Sequence, residues 1–450
     1  MTGLKGLTTE AVLALAPDAA SAKAARGLMN VSQWPTLGHD AAAAWGECQG
    51  SGSKPYQTQV DLSGPVFKCS CPSRKFPCKH GLALLLLRAQ DAGRFTTTEP
   101  PEWVRAWLEG RRERAEKQEQ KQEQKQAQPP KPDAAPFASA DPSVRQDKRW
   151  QRIEAGLEEL ARWLADWVRR GLAVQTIESA GEWQTMAARM VDAQAGALAG
   201  WLTAAGAESD SAALLARLGR LQLLIEAVQR RATLDAGVLA DVRATLGWPL
   251  DRDEVLARGE AIDDVWRVDG QIVEEREQRL VERRVWLSGR RSGRRALLLD
   301  FSHGTAGFET SWITGQARAG RLVFFPSAAP LRALSVQREA MPDAGDAAGG
   351  VLALSSWLDE LDRAAAAMAA HAWLPLWPLR LAGAAIRVVD DAVWACGAAG
   401  DEHALSLPLT VPADQVPTLL ALAGGGAVDL QGEWDGRMLR LLTRVEGGTR

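Results

Sequence analysis

The sequence has no apolar run near the ~18 residues that a membrane span requires. Its longest, at residues 82–87, is far too short. It opens with no charged-then-apolar leader, so the chain reads as soluble and cytoplasmic, with no membrane partner. It has no excess of positive charge. Lys and Arg number 53 against 56 Asp and Glu, a net charge of -3. That excludes a chain that is basic throughout and leaves room only for a local nucleic-acid surface. The phosphate-binding G-x-x-x-x-G-K-[ST] loop, G-x-G-x-x-G after a strand, H-E-x-x-H and G-x-S-x-G are all missing. The expectation is that the protein is not an enzyme. Tyrosine occurs once, at Tyr56, beside 18 tryptophans, and lysine gives way to arginine after Lys148. This skew reads as the mark of a GC-rich, bacterial genome and carries little chemistry.

Cysteine is also scarce, and its placement is informative. Of Cys48, Cys69, Cys71, Cys78 and Cys396, three fall within ten positions of one another. An odd, clustered set is not a secreted disulfide framework. In a reducing compartment such clusters usually hold metal. The segment KCSCPSRKFPCKH spaces Cys69 and Cys71, then Cys78 and His80, as two pairs of ligands two residues apart. Side chains two apart on an extended strand point the same way, so each pair can grip one ion. Zinc takes four such ligands as a tetrahedron in structural sites. Pro72 and Pro77 stiffen the loop between the pairs, and His80 falls in the first turn of a predicted helix, GLALLLLRAQ. The alternatives are a disulfide pair or incidental thiols. A catalytic zinc would need an open position that four protein ligands do not leave. Cys48 could substitute as a ligand, though its turn-and-strand surroundings suit a packed thiol.

YQTQVDL alternates like a strand, SGP makes a turn and Val66 to Cys71 returns as a second strand, so the order is strand, turn, strand, knuckle, helix. The stretch WGECQGSGSKPYQTQVDLSGPVFKCSCPSRKFPCKHGLALLLL with its C-x-C-x6-C-x-H pattern resembles the bacterial SWIM zinc finger family, a ββα unit. The resemblance implies one structural Zn²⁺ held by Cys69, Cys71, Cys78 and His80. It also implies a role in DNA binding or protein–protein contacts, with a MoxR-type AAA+ ATPase or a von Willebrand A-domain protein as partner.

Lys68, Arg74, Lys75, Lys79, Arg88 and Arg94 lie within 27 positions and face only Asp91. As a patch they could engage the phosphates of DNA or RNA, with Phe76 stacking on a base. They could equally solvate a module whose thiolates are anionic. The helix is too apolar to read bases and suits packing on protein.

At 450 residues the chain is long enough for about two to four domains. The fold expected is a multidomain α+β chain. An N-terminal ββα SWIM-type zinc module spans 1–95 together with short helices near 8–29, its finger at about 45–90. A charged and Pro/Ala-rich linker covers 96–146, and its amphipathic start is expected to be a solvated helix. A central helical domain covers 147–257. There, Trp150, Ile153, Leu157, Leu160, Leu164 and Trp167 mark one helix face, Trp183 to Trp201 a second segment, and two more follow up to Leu246. A C-terminal mixed α+β domain spans 258–450, with hairpins at RRVWLSGRRSGRRALLLDF and LRLAGAAIRVVDDAVWACGA and no visible internal repeat. Its Arg290, Arg291, Arg294 and Arg295, preceded by Arg283 and Arg284, form a second basic cluster. Asp300 and His303 sit close at a strand end without a third partner. The function expected is a zinc-binding interaction protein whose finger mediates protein–protein contacts; the alternative is a DNA- or RNA-binding protein using the basic face of the finger.

Overall fold

The computed structural model describes residues 9–13, 15–16, 19–50, 54–62, 66–73, 77–113, 142–171, 177–276, 280–303, 308, 310, 312–336, 356–397 and 405–442. The N-terminal module is larger than a ββα unit. Strands β1 (Thr36–His39), β2 (Ala43–Cys48), β3 (Tyr56–Asp61), β4 (Val66–Cys69) and β5 (Thr96–Thr97) form one sheet in the order β4-β3-β2-β1-β5. Only the β1–β5 pair is parallel. The sequence AAAAWGEC, where no strand was expected, is the central strand β2. Its alternation is hidden because alanine fits either face. Ala44 faces one core, and Ala43 and Trp45 the other. Helices α1 (Thr9–Leu13) and α2 (Ala19–Gly27) pack on α3 (Lys79–Gln90), whose residues 80–87 are all buried. A fourth helix, α4 at 102–113, lies where a solvated linker helix was expected. Its Val104 is fully buried beside Ala43 and Trp45.

The helical region holds α5 (Pro142–Arg170), α6 (Ile177–Asp192), α7 (Ala197–Gly206), α8 (Ser211–Gln229) and α9 (Ala236–Thr245). The apolar stripes meet in one core, and every residue of the first stripe is buried. Trp150, Trp167 and Trp183 are buried in that core, while Trp163 and Trp201 pack half-buried against it, Trp163 also lining a shallow surface cleft. Trp163 meets Trp183 edge-to-face with ring centroids 4.6 Å apart, and Trp167 is tilted against it at 5.2 Å. The segment expected to run unbroken from Trp183 to Trp201 is two helices. Gln194 takes a left-handed φ of 63° between them, a conformation no α-helix interior holds. The last helix stops where expected, at Gly247 with φ 80°.

After α10 (Arg252–Arg258) come two five-stranded units of the same strand order. In the first, β6 (Glu260–Glu275) pairs through its first half with β9 (Ala317–Phe324) and through its second with β7 (Leu280–Gly289). Strand β7 pairs with β8 (Arg295–His303), and β9 with β10 (Ala333–Ser335). A parallel bridge from Leu297 to Arg332 brings the open edges together. The second unit is a closed barrel of β11 (Trp377–Val389), β12 (Ala392–Cys396), β13 (Ser406–Thr410), β14 (Ala427–Trp434) and β15 (Leu439–Leu441). It too has a long, bulged first strand shared between the second and fourth, and a parallel third–fifth pair. Order 1-2-3-5-4 is that of a five-stranded Greek-key barrel of OB type. Helix α12 (Val416–Ala423) connects β13 to β14, and α11 (Trp357–Ala370) leads into the closed barrel. The repeat is one of topology, invisible in the sequence. The expected β11–β12 hairpin turns on Asp390 and Asp391, both at positive φ, as a two-residue turn between strands demands.

Buried ion pairs join the units. Arg284 of β7 donates Nη2 to Glu433 of β14 at 2.7 Å and Nε to its other oxygen at 3.0 Å. Trp286 Nε1 adds a third bond to that carboxylate at 3.1 Å. Arg380 Nη2 meets both Asp269 oxygens at 2.8 and 2.9 Å, and Arg295 Nη2 meets Glu360 at 2.5 Å. Burial opposes the Arg284 cation, but Glu433, Glu274 and Glu282 more than reverse it. The segment before β9 makes a different join. Trp312 turns into the first unit's core, while the next residue, Ile313, is fully buried in the core of the N-terminal module.

Candidate metal centre

Register places the first ligand pair. Strands β3 and β4 pair with Thr58 opposite Cys69 and Val60 opposite Phe67. Phe67 turns into the core, which puts Cys69 on the same face, and Cys71 follows just past the strand end. The second pair is set by the helix start. Cys78 is extended, with φ -72° and ψ 163°, and its sulfur accepts from the Gly81 N–H at 3.4 Å as the N-cap of α3. Capping by a sulfur in place of the usual oxygen aims that sulfur at the helix axis end. His80 follows in the first turn.

The four ligand atoms of Cys69, Cys71, Cys78 and His80 all lie within 4.8 Å of one another. Cys69 Sγ and His80 Nδ1 stand 3.8 Å apart. A tetrahedron with metal–sulfur bonds of ~2.3 Å and a metal–nitrogen bond of ~2.0 Å has edges of about 3.5–3.8 Å, so the group is close to the size zinc requires. Cys78 and His80 are buried and the other two half-buried. All three cysteines are free thiols rather than a disulfide. Without metal the four groups compete for the same protons. Hydrogen bonds from Cys69 and Cys78 hold the Cys71 thiol far below its ordinary value. Hydrogen bonds to Cys69 and Cys71 push Cys78 far above its own. Burial disfavours the His80 cation, yet hydrogen bonds to the same two sulfurs raise it to about 9. Sulfurs this close must share protons, and a divalent ion does the same work with more charge. Cys69, Cys71, Cys78 and His80 are positioned to bind one zinc ion.

Cys48 stands outside this group. It is fully buried, its thiol pushed up to about 11 by burial, and it leans on the Gln49 carbonyl at 3.9 Å. The reserve-ligand reading therefore gives way to the packed thiol. Two neighbours that the sequence reading passed over touch the ligands. The Thr58 hydroxyl lies 3.1 Å from Cys69 Sγ, and the Tyr56 ring is tilted over His80 at 4.9 Å. The signal was available, since both sit on the strand whose alternation was recognised, in register with the cysteine strand.

The basic residues are less of a patch than their spacing suggested. Lys68 and Lys79 are exposed beside the ligands. Arg74, Lys75 and Phe76 lie outside the described residues. Arg94 pairs with Asp91 at 3.2 Å, and Arg88 lies over the Phe95 ring at 5.8 Å. In the second basic cluster Arg291 reaches Asp264 while staying largely exposed, and Arg294 pairs with Glu260, Arg295 with Glu360, Arg284 with Glu433 and Arg283 with Asp300. Asp300 is thereby engaged with Arg283 at 2.5 Å. His303 ends the same strand, and its side chain lies outside the described residues.

Comparison with protein families matches residues 56–89 to the SWIM zinc finger and residues 148–246 to the SWIM-associated four-helix bundle domain. The first match spans β3 to α3 and contains all four ligands. The second covers the helical core from α5 to α9. Searches of curated proteins and of solved structures returned no match. Among the described residues no helix is long and apolar enough to cross a membrane.

Proposed function

We propose that this SWIM zinc finger protein is a non-enzymatic interaction protein, its finger a zinc-folded module that contacts protein partners. The observation that carries this reading is the burial of α3. Residues 80–87 are enclosed by the sheet, α1 and α2, so the helix beyond the knuckle has no free face to enter a nucleic-acid groove. Four protein ligands leave the metal no open position, which supports a structural ion and no catalysis. Free cysteines suit a reducing compartment, in keeping with a cytoplasmic protein. By family resemblance the partners to try first are a MoxR-type AAA+ ATPase and a von Willebrand A-domain protein.

Native, nuclease-treated lysate passed over the full-length chain should yield a protein partner that the Cys78→Ala variant fails to retain. The captured protein should then bind the purified chain directly. Recovery of nucleic acid alone would sink the proposal. The alternative, DNA or RNA bound on the basic face, draws support from the exposed Lys68 and Lys79 beside the site. It requires affinity that falls steeply with salt and drops on Lys68→Ala or Lys79→Ala. Binding that is absent, or indifferent to salt, removes it.

A further inference from the structure

Among the described residues, each sulfur of the zinc site is met by one further polar group. The Gly81 N–H donates to Cys78, and the Ser73 backbone hydrogen-bonds Cys71. Both come from the main chain, which no side-chain substitution would delete. The group at Cys69 is different. It is the hydroxyl of Thr58, 3.1 Å away. Thr58 is fully buried on β3 and is the cross-strand partner of Cys69 in the ladder. A buried hydroxyl must be satisfied, and among the described residues the Cys69 sulfur is the partner it has.

With Zn²⁺ bound, three thiolates and one neutral imidazole leave the centre one negative charge in excess. A zinc-bound thiolate has no proton to give, so the hydroxyl must be the donor. We infer that Thr58 tunes the zinc site, donating to the Cys69 thiolate and offsetting part of that charge. It is a positioning residue acting through Cys69, not a ligand. The donor draws electron density from the sulfur, completes a set of one hydrogen bond per thiolate, and holds the strand-borne sulfur in line with the helix-borne pair. Partners of this kind, which touch a ligand rather than the metal, commonly change metal affinity by about 10–100-fold. The inference is independent of what the finger contacts. It rests only on zinc occupancy, which the metal content of the wild-type chain checks separately.

The test compares full-length wild type with Thr58→Val, which keeps the shape and β-branching but loses the hydroxyl, and with Thr58→Ser, which keeps the hydroxyl. Zinc is titrated against a chromophoric chelator, and Co²⁺ is substituted to read the thiolate-to-metal charge-transfer band. Thr58→Val should bind zinc about 10-fold more weakly. It should also move the band to lower energy, because an uncompensated thiolate is the more electron-rich. Thr58→Ser should restore both. If Thr58→Val does not fold, Thr58→Ala serves in its place. Either readout left unmoved by loss of the hydroxyl overturns the inference, as does failure of Thr58→Ser to restore it, which would mark the effect as packing. A wild-type chain without zinc would refute the metal assignment instead.

Discussion

Glu433→Ala tests the join between the two five-stranded units. The substitution removes the acceptor of two Arg284 bonds and one Trp286 bond from a carboxylate that is 3% exposed. Removing one partner of a buried pair costs roughly 3–5 kcal/mol, because the surviving charge stays in place of water. An orphaned buried indole N–H adds about 1–3 kcal/mol. Against this, Arg284 keeps Glu274 at 2.9 Å and Glu282 at 2.5 Å. The surviving pairs place the net loss near the lower end, about 3 kcal/mol. For a unit of this size that corresponds to a fall of about 6–12 °C in the melting temperature, read as the transition of the C-terminal units in calorimetry. Glu433→Gln keeps an acceptor and should lose about half as much. Arg284→Met combined with Glu433→Leu should recover most of the loss, since an apolar pair of similar volume replaces a buried ion pair at little cost. A loss under about 1 kcal/mol, or a double variant as unstable as the single, would refute the reasoning.

Metal analysis should give about one zinc per chain, abolished by Cys78→Ala with His80→Ala; stoichiometric zinc in that variant would exclude the ligand set. Chelation should open the knuckle while α3 amides stay protected from hydrogen exchange, since α3 packs on α1, α2, β2 and β3 as well as on metal. Exchange of α3 at unstructured rates in the metal-free chain would contradict this. Glu274 is opposed by burial, but hydrogen bonds from Arg440 and Arg284 lower it to about 2. A depressed carboxylate stabilises above its unfolded value of ~4.3 and loses that as pH falls through the folded one. The stability gap between wild type and Glu274→Gln should therefore be full above pH ~5 and closed near pH 2; a gap unchanged across that window counts against the network. Gly206→Ala would set a Cβ 2.7 Å from the buried Trp183 ring and should cost about 1–3 kcal/mol in chemical denaturation; a neutral result would mean that ring has room to shift.

The zinc site was legible because its information is local. Two ligand pairs of fixed spacing, a hairpin and a helix start all fall within about three dozen residues, and each obeys a short-range rule. The stripes of α5 were legible for the same reason. Three features were not. Strand β2 hides in alanines that suit either face of a sheet. The break at Gln194 carries no proline, and its one glycine, Gly196, follows two residues later as the N-cap of α7, so the left-handed turn itself falls on a residue that nothing in the composition marks. The two five-stranded units repeat a strand order, and strand order is fixed by pairings between distant residues such as Leu409 with Leu439. The partners of the arginine cluster were not legible either. Arg284, Arg291, Arg294 and Arg295 lie within twelve positions, but their carboxylates come in turn from residues 433, 264, 260 and 360, so charge density along the chain does not show which of the charges are neutralised.

Ile313 has a bearing on how the protein is made. The finger's cysteines and helix leave the ribosome early, yet one residue of their hydrophobic cluster lies about 220 positions after α3 ends. At ordinary elongation rates of about 5–20 residues per second, the finger waits roughly 10–45 s for it. During that interval its core has a gap the size of an isoleucine, and it is held by zinc and by the packing of α3 on α1, α2 and the sheet. The metal ligands thus precede the last residue of their own hydrophobic cluster by the whole helical region and three strands of the first five-stranded unit.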